Sequence, residues 1–228
     1  MSVIAMELRR AGAVAWKDLT AERRTKANFN AVLFFTSLIL LLFGFALGPD
    51  QQALKDAAAG ILWLTVLFGG VLSFNRSYEM ELEGGALEAL LLYPGDRRAL
   101  FVGKLLANLA FLVLIEVILV PVAAILYDLP LVRGGGFFGV LLLGTVGFVT
   151  LGTFYAAMAS RVRAREVLLP LLLFPMLVPL LLSSVEATKA LLVGNMMGDA
   201  ASWIRLLVVF DVIFLVATFF AFEYVIEE

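Results

Sequence analysis

The chain has 228 residues, of which 62% are hydrophobic and only 16% charged, whereas a soluble domain runs at about 45–50% and 25%. There is too little polar surface to wrap a water-soluble globule, and too much apolar surface for a disordered chain. A formal charge of −2 gives no nucleic-acid footprint, and the absence of cysteine and histidine removes disulfides, thiolate and imidazole metal sites, and the usual nucleophile–base pairs.

Residues 1–26 are polar and basic, so no cleavable signal peptide is evident. Within them, Val3, Met6, Arg10, Ala13, Val14 and Trp16 form a mixed helical face with other charges opposite. This predicts an amphipathic helix in the membrane interface with Trp16 near the headgroups. An ordinary basic juxtamembrane segment is the other reading.

A membrane-crossing helix needs about 20 mostly apolar residues. Runs without charge occupy 27–49, 57–75, 134–160 and 167–185, and two more contain a single acid each, Glu116 and Asp211. Six spans are therefore expected near 29–47, 57–75, 101–126, 137–159, 167–184 and 204–223. Continuous apolar runs exclude a membrane β-barrel, whose strands alternate over about ten residues. The fold class is all-α, one transmembrane domain over 1–228, with no repeat or linker that would divide it.

Basic residues set the orientation. The N-terminal segment holds Arg9, Arg10, Lys17, Arg23, Arg24 and Lys26. The second connection and its flank hold Arg76, Arg97, Arg98 and Lys104, and the fourth holds Arg161, Arg163 and Arg165. Against these 13 stand Lys55, Arg133, Lys189 and Arg205 on the opposite side. Both termini are expected in the cytoplasm. The connection from Ser184 to Trp203 is the longest external segment, either a cap over the bundle or a plain connector.

The second connection, 76–98, carries Glu79, Glu81, Glu83 and Glu88 beside Leu82, Leu87, Leu90, Leu91 and Leu92. Gly84-Gly85 interrupts a helix and Pro94-Gly95 marks a turn. A cytoplasmic helix–break–helix, acidic on one side and apolar on another, is suited to docking in a partner's groove. The positive-inside rule predicts lysine and arginine here, not four glutamates.

At these residues the chain resembles the CcmB family, the membrane subunits of cytochrome c maturation ABC transporters. The resemblance lies in Arg76, Glu81-Leu82, Gly85, Leu87-Glu88, Leu90 and Pro94. It extends to Gly60-Ile61-Leu62-Trp63 and to the proline-rich run around Pro170, Pro175 and Pro179, and so covers nearly the whole chain. It implies an ABC-2-like permease with six transmembrane helices and a cytoplasmic coupling helix. It further implies a CcmA-like ATPase subunit, two copies of each chain, and CcmC-, CcmD- and CcmE-like partners in the bacterial inner membrane. On that basis Arg76, Glu81, Leu82, Gly85, Leu87, Glu88, Leu90 and Pro94 are the candidate ATPase-coupling residues. Exposed ion pairs contribute only about 0–1 kcal/mol, so the leucines are expected to carry most of the docking.

The chain has no G-x-x-x-x-G-K-[ST] phosphate loop. ATP and Mg are therefore expected on the partner subunit, and no enzymatic activity here. Without histidine or cysteine, haem has only Met, Tyr or carboxylate as ligands, so it is expected as cargo rather than as a resident cofactor. Glu116 and Asp211 near mid-membrane are functional candidates by their cost of about 2.5–3.5 kcal/mol; the alternative is a carboxyl bonded to a neighbouring helix. Gly139, Gly144, Gly147 and Gly152 are expected to admit close helix packing. The three prolines of the fifth span favour kinks. Two other functions fit less of the sequence: an ABC-2 exporter of another hydrophobic substrate, and a proton-coupled secondary transporter working through Glu116 or Asp211.

Overall fold

A computed structural model describes residues 3–83, 96–129, 135–160, 165–193 and 199–227. Among these it has seven helices: α1 (Val3–Thr25), α2 (Ala27–Ala46), α3 (Gln51–Glu83), α4 (Arg98–Tyr127), α5 (Gly135–Ser160), α6 (Arg165–Val193) and α7 (Asp199–Glu227). The last six contain stretches of 20 to 30 residues long and apolar enough to cross a bilayer, since 20 residues at 1.5 Å each span about 30 Å.

Local chemistry fixes the joints. Lys26 alone separates α1 from α2, in the left-handed region at φ 53. The Glu22 carboxylate accepts the Phe29 N–H at 2.7 Å and so caps the start of α2. Gly48 at φ +70 ends α2, and Asp50 caps α3 by accepting the N–H groups of Gln52 and Ala53. Asp128, also left-handed, closes α4 and pairs with Lys55 at 2.7 Å. That pair places the start of α3 and the end of α4 at one end of the bundle. At the other end the start of α4 meets the end of α7 through Arg98 and Glu223 at 2.7 Å.

The centre is formed by α3 and α5, two-thirds buried over their most apolar windows; α2 and α7 are peripheral. Phe74 of α3 stacks edge-on against Phe148 of α5, with centroids 5.1 Å apart. Phe34, Phe45 and Ile125 are among the large apolar side chains that point outward, as in a helix whose solvent is lipid. The interior is also tied by polar bonds. Trp63 donates to Thr188 at 3.0 Å, Asn108 to Thr153 at 2.9 Å, and Tyr127 to the Leu40 carbonyl at 2.7 Å. With no water in the hydrocarbon, such groups must find partners on neighbouring helices.

Two expected boundaries are corrected. Most of the connection expected from Ser184 to Trp203 is helix, because α6 runs on to Val193 and α7 begins at Asp199. No glycine or proline stands between Ser183 and Val193, and Lys189 reaches back to Glu186 at 3.0 Å. The hydrophobic run ends at Val185 but the helix-forming sequence does not. Likewise α3 runs past the expected span end at 75 to Glu83, so the first helix of the expected helix–break–helix is continuous with the second span. The prolines of the fifth span sit inside one continuous α6.

Candidate functional site at the basic end of the bundle

The end that gathers α1, the end of α3, the start of α4 and the end of α7 holds Arg76, Glu81 and Leu82 of the coupling candidates. Arg76 lies on α3, exposed. It borders a cavity of about 170 Å³ with Lys17, Asp18 and Glu22 of α1, Asn28 of α2, and Asn108 and Phe111 of α4. Glu81 and Leu82 lie on the last turn of α3, of which only the helical backbone is described. Gly85, Leu87, Glu88, Leu90 and Pro94 fall outside the described residues. Of the eight candidates, then, one side chain and two further helical positions are described, five lie outside the described residues, and the coupling role of all eight is untested.

A residue that sequence reading counted only as a topology charge organises this end. Lys104 of α4 is fully buried. Its ammonium donates to the Asp18 carboxylate of α1 at 3.1 Å and to the Ser77 carbonyl of α3 at 2.9 Å, with the Ser77 hydroxyl at 3.4 Å. Lys17 stands 3.2 Å from the other Asp18 oxygen. A buried ammonium is tolerable only when paired and hydrogen-bonded, and here α1 and α3 supply those partners. The sequence signal was faint: a lysine six residues into a long helix whose neighbours are apolar.

Beside Lys104, Gly103 brings α1 against α4. A Cβ at Gly103 would meet the Ala11 carbonyl oxygen and the Val14 Cβ, each at 2.7 Å. Ala11 and Ala15 are buried, while Met6, Leu8 and Trp16 are exposed. The face of α1 that packs on α4 is therefore Ala11, Val14, Ala15 and Asp18; of the Val3, Met6, Arg10, Ala13, Val14 and Trp16 face expected at the membrane interface, Met6 and Trp16 are exposed and Val14 turns to α4. Small residues at helical spacing made this contact, and their weak hydrophobicity hid it. Trp16 is exposed, as a headgroup-facing ring would be.

The two intramembrane acids differ. Glu116 of α4 is buried and accepts a hydrogen bond from Thr145 of α5 at 2.5 Å. Asp211 of α7 is also buried, and neither carboxyl oxygen has a hydrogen-bond partner among the described residues. It lies against Gly147 of α5, where an added Cβ would meet Asp211 Oδ1 and Leu180. Gly144 and Gly152 are similarly close-packed, against Trp63 and Phe74; Gly139 has open space. Three of the four glycines thus make the close packing expected of them. Among the described residues no cluster of three metal-ligating side chains occurs.

Six membrane-length helices, an amphipathic helix bound to one end by an ion pair to a buried lysine, and a tightly packed interior define a multi-pass helical membrane protein. The model of the family described as CcmB protein matches residues 9–228, and the chain belongs to that family. It is similar to the protein named haem exporter protein B of Rhodobacter capsulatus, 34% identical over 173 residues, covering 76% of this chain and 79% of that one. It is similar also to the haem exporter protein B of Pseudomonas aeruginosa, 30% identical over 182 residues, covering 80% and 81%. The haem exporter protein B of Paracoccus denitrificans is 32% identical over 173 residues, covering 76% and 79%.

Proposed function

We propose that this chain is the membrane permease subunit of an ABC transporter for cytochrome c biogenesis. In this reading a separate CcmA-like ATPase binds and hydrolyses ATP. The chain turns that motion either into haem export or into release of a haem-loaded chaperone from a neighbouring membrane subunit. The observation that carries the reading is the family match from residue 9 to the C-terminus on a six-span bundle.

Placed in a bacterial inner membrane with both termini cytoplasmic, the chain turns the end built from α1, the α3 extension and the start of α4 toward the ATPase. The segment 76–98 is the docking element. Its Glu81, Leu82, Gly85, Leu87, Glu88, Leu90 and Pro94 enter the partner's groove, with Arg76 at its base. Because α3 runs as one helix from the opposite face of the bundle to Glu83, a push on the segment acts directly on a core helix. Two copies of the chain with two ATPase subunits complete the transporter, and CcmC-, CcmD- and CcmE-like proteins complete the system. Transmission is favoured over a haem path within one chain. The sequence offers haem neither histidine nor cysteine, and the cavity at the basic end, about 170 Å³, is small against the ~300–1,000 Å³ of small-molecule sites.

The test is isolation of the chain from its native membranes in mild detergent, with mass spectrometry of its partners and a haem absorbance spectrum. An ABC ATPase and cytochrome c maturation proteins are expected together. Haem that follows the neighbouring subunits supports transmission, and haem that stays with this chain alone supports a haem path. Glu88→Lys is expected to reduce ATPase recovery at least fivefold. No ATPase under conditions that preserve other ABC complexes refutes the proposal.

A further inference from the structure

Lys104 lies outside the segment 76–98 and faces the interior, so it is not a docking residue. Its partners come from two directions. Asp18 belongs to α1, and Ser77 belongs to α3, one residue past Arg76 and six before α3 ends. A backbone carbonyl has two lone pairs, so Ser77 can accept from Lys104 while keeping its place in the helix ladder. One ammonium therefore joins the amphipathic helix, the base of the segment and the start of α4.

Buried ion pairs are poor sources of net stability; well-packed apolar replacements are often neutral or better. What they fix well is register. The surrounding packing calls for register too. Gly103 already seats α1 against α4, but that contact does not involve α3. On the other side of the junction, Asp18 and Ser77 both border the cavity, so α1 and α3 have room to shift there relative to each other. Lys104 bridges the two helices at the edge of that space.

We propose that Lys104 is a positioning residue that makes α1 move with the cytoplasmic extension of α3, so that displacement of segment 76–98 reaches the membrane-surface helix. The proposal rests on the coupling function above. In that function α1 becomes a second moving part, driven from inside the bundle and not by contact with the ATPase.

The chain has no cysteine, so a single Leu8→Cys, at a position 65% exposed on α1, takes an environment-sensitive fluorophore at one site. The labelled complex with its ATPase subunit is reconstituted in nanodiscs, and emission is read with and without ATP and Mg. The expected result is a nucleotide-dependent change that falls at least fivefold in Lys104→Met, in Asp18→Asn and in their combination. Bound ATPase and its basal hydrolysis should stay within twofold, which a merely structural loss would not spare. The exchange Asp18→Lys with Lys104→Asp restores the α1–α4 pair without the bond to Ser77, and is expected to remain unresponsive. If Lys104→Met fails to accumulate, Asp18→Asn, at a partly exposed side chain, decides by the same readout. A response that persists in Lys104→Met or Asp18→Asn overturns the proposal, as does an unresponsive reference complex that retains its ATPase. Failure to recover any ATPase with the reference chain would count against the coupling function itself.

Discussion

Replacing Gly103 and Gly139 by alanine makes the same chemical change in two transmembrane helices and should move stability in opposite directions. Both substitutions gain about 1 kcal/mol of helix propensity, since glycine is the more flexible residue in the unfolded chain. At Gly139 nothing lies within 4 Å of the new Cβ, so that gain stands. At Gly103 the Cβ arrives 2.7 Å from the Ala11 carbonyl oxygen and the Val14 Cβ. These atoms belong to the backbone and base of α1, not to the far end of a flexible side chain. Relief requires α1 to retreat by roughly 0.7 Å over the contact, at an overpacking cost of about 1–3 kcal/mol. The two variants should therefore differ by about 2 kcal/mol, or roughly 4–8 °C in thermal midpoint for a chain of this size. The assay is tryptophan fluorescence of the purified protein in detergent, at one fixed scan rate because unfolding of such proteins is often irreversible. Trypsin supplies a local readout, since Arg23 and Arg24 lie exposed at the end of α1 and a loosened helix should be cut faster. Equal midpoints and equal cleavage for the two variants would refute the α1–α4 contact.

Thr145→Val keeps the shape of the side chain but removes the hydroxyl that bonds Glu116, and is expected to destabilise by about 1–3 kcal/mol, with Thr145→Ser close to the parent; a thermal midpoint unchanged in Thr145→Val would show that Glu116 does not depend on that bond. Asp211→Ala removes a buried carboxyl that has no partner among the described residues, and is expected to raise the midpoint by a few degrees, the relief of about 1–3 kcal/mol exceeding the small cavity left behind. A marked fall in the midpoint would mean that the carboxyl is bonded in the folded protein after all.

The six spans were legible because hydrocarbon imposes a coarse rule: each crossing must be long, apolar and internally hydrogen-bonded. Their ends were less legible, because a helix ends where its backbone is broken, not where hydrophobicity falls. The residues 186–193 show this, being helical although two of them are charged. The Gly144, Gly147 and Gly152 contacts could be anticipated from residue size, but size alone could not separate them from Gly139, whose neighbours are absent. The Lys104 junction was illegible. Asp18 is 86 residues away in sequence, and a lysine near a span end reads the same whether it faces water or a carboxylate on another helix. The packing face of α1 was hidden for a related reason: alanines carry little hydrophobic signal, yet they let two helices approach closely.

The seating of α1 bears on how the chain is made. α1 leads the sequence and is joined to α2 by a single left-handed residue, yet its close contacts are with α4, which begins at Arg98. During synthesis at about 5–20 residues per second, α1 waits roughly 4–17 s for that partner to emerge. Until then Asp18 has no ammonium to meet and the small-residue face has no helix to cover it. The membrane surface is the natural holding place, with Trp16 and the basic residues anchoring α1. A ribosome-bound chain stopped before α4 should therefore be protease-sensitive between α1 and α2, and one stopped after α4 should be protected.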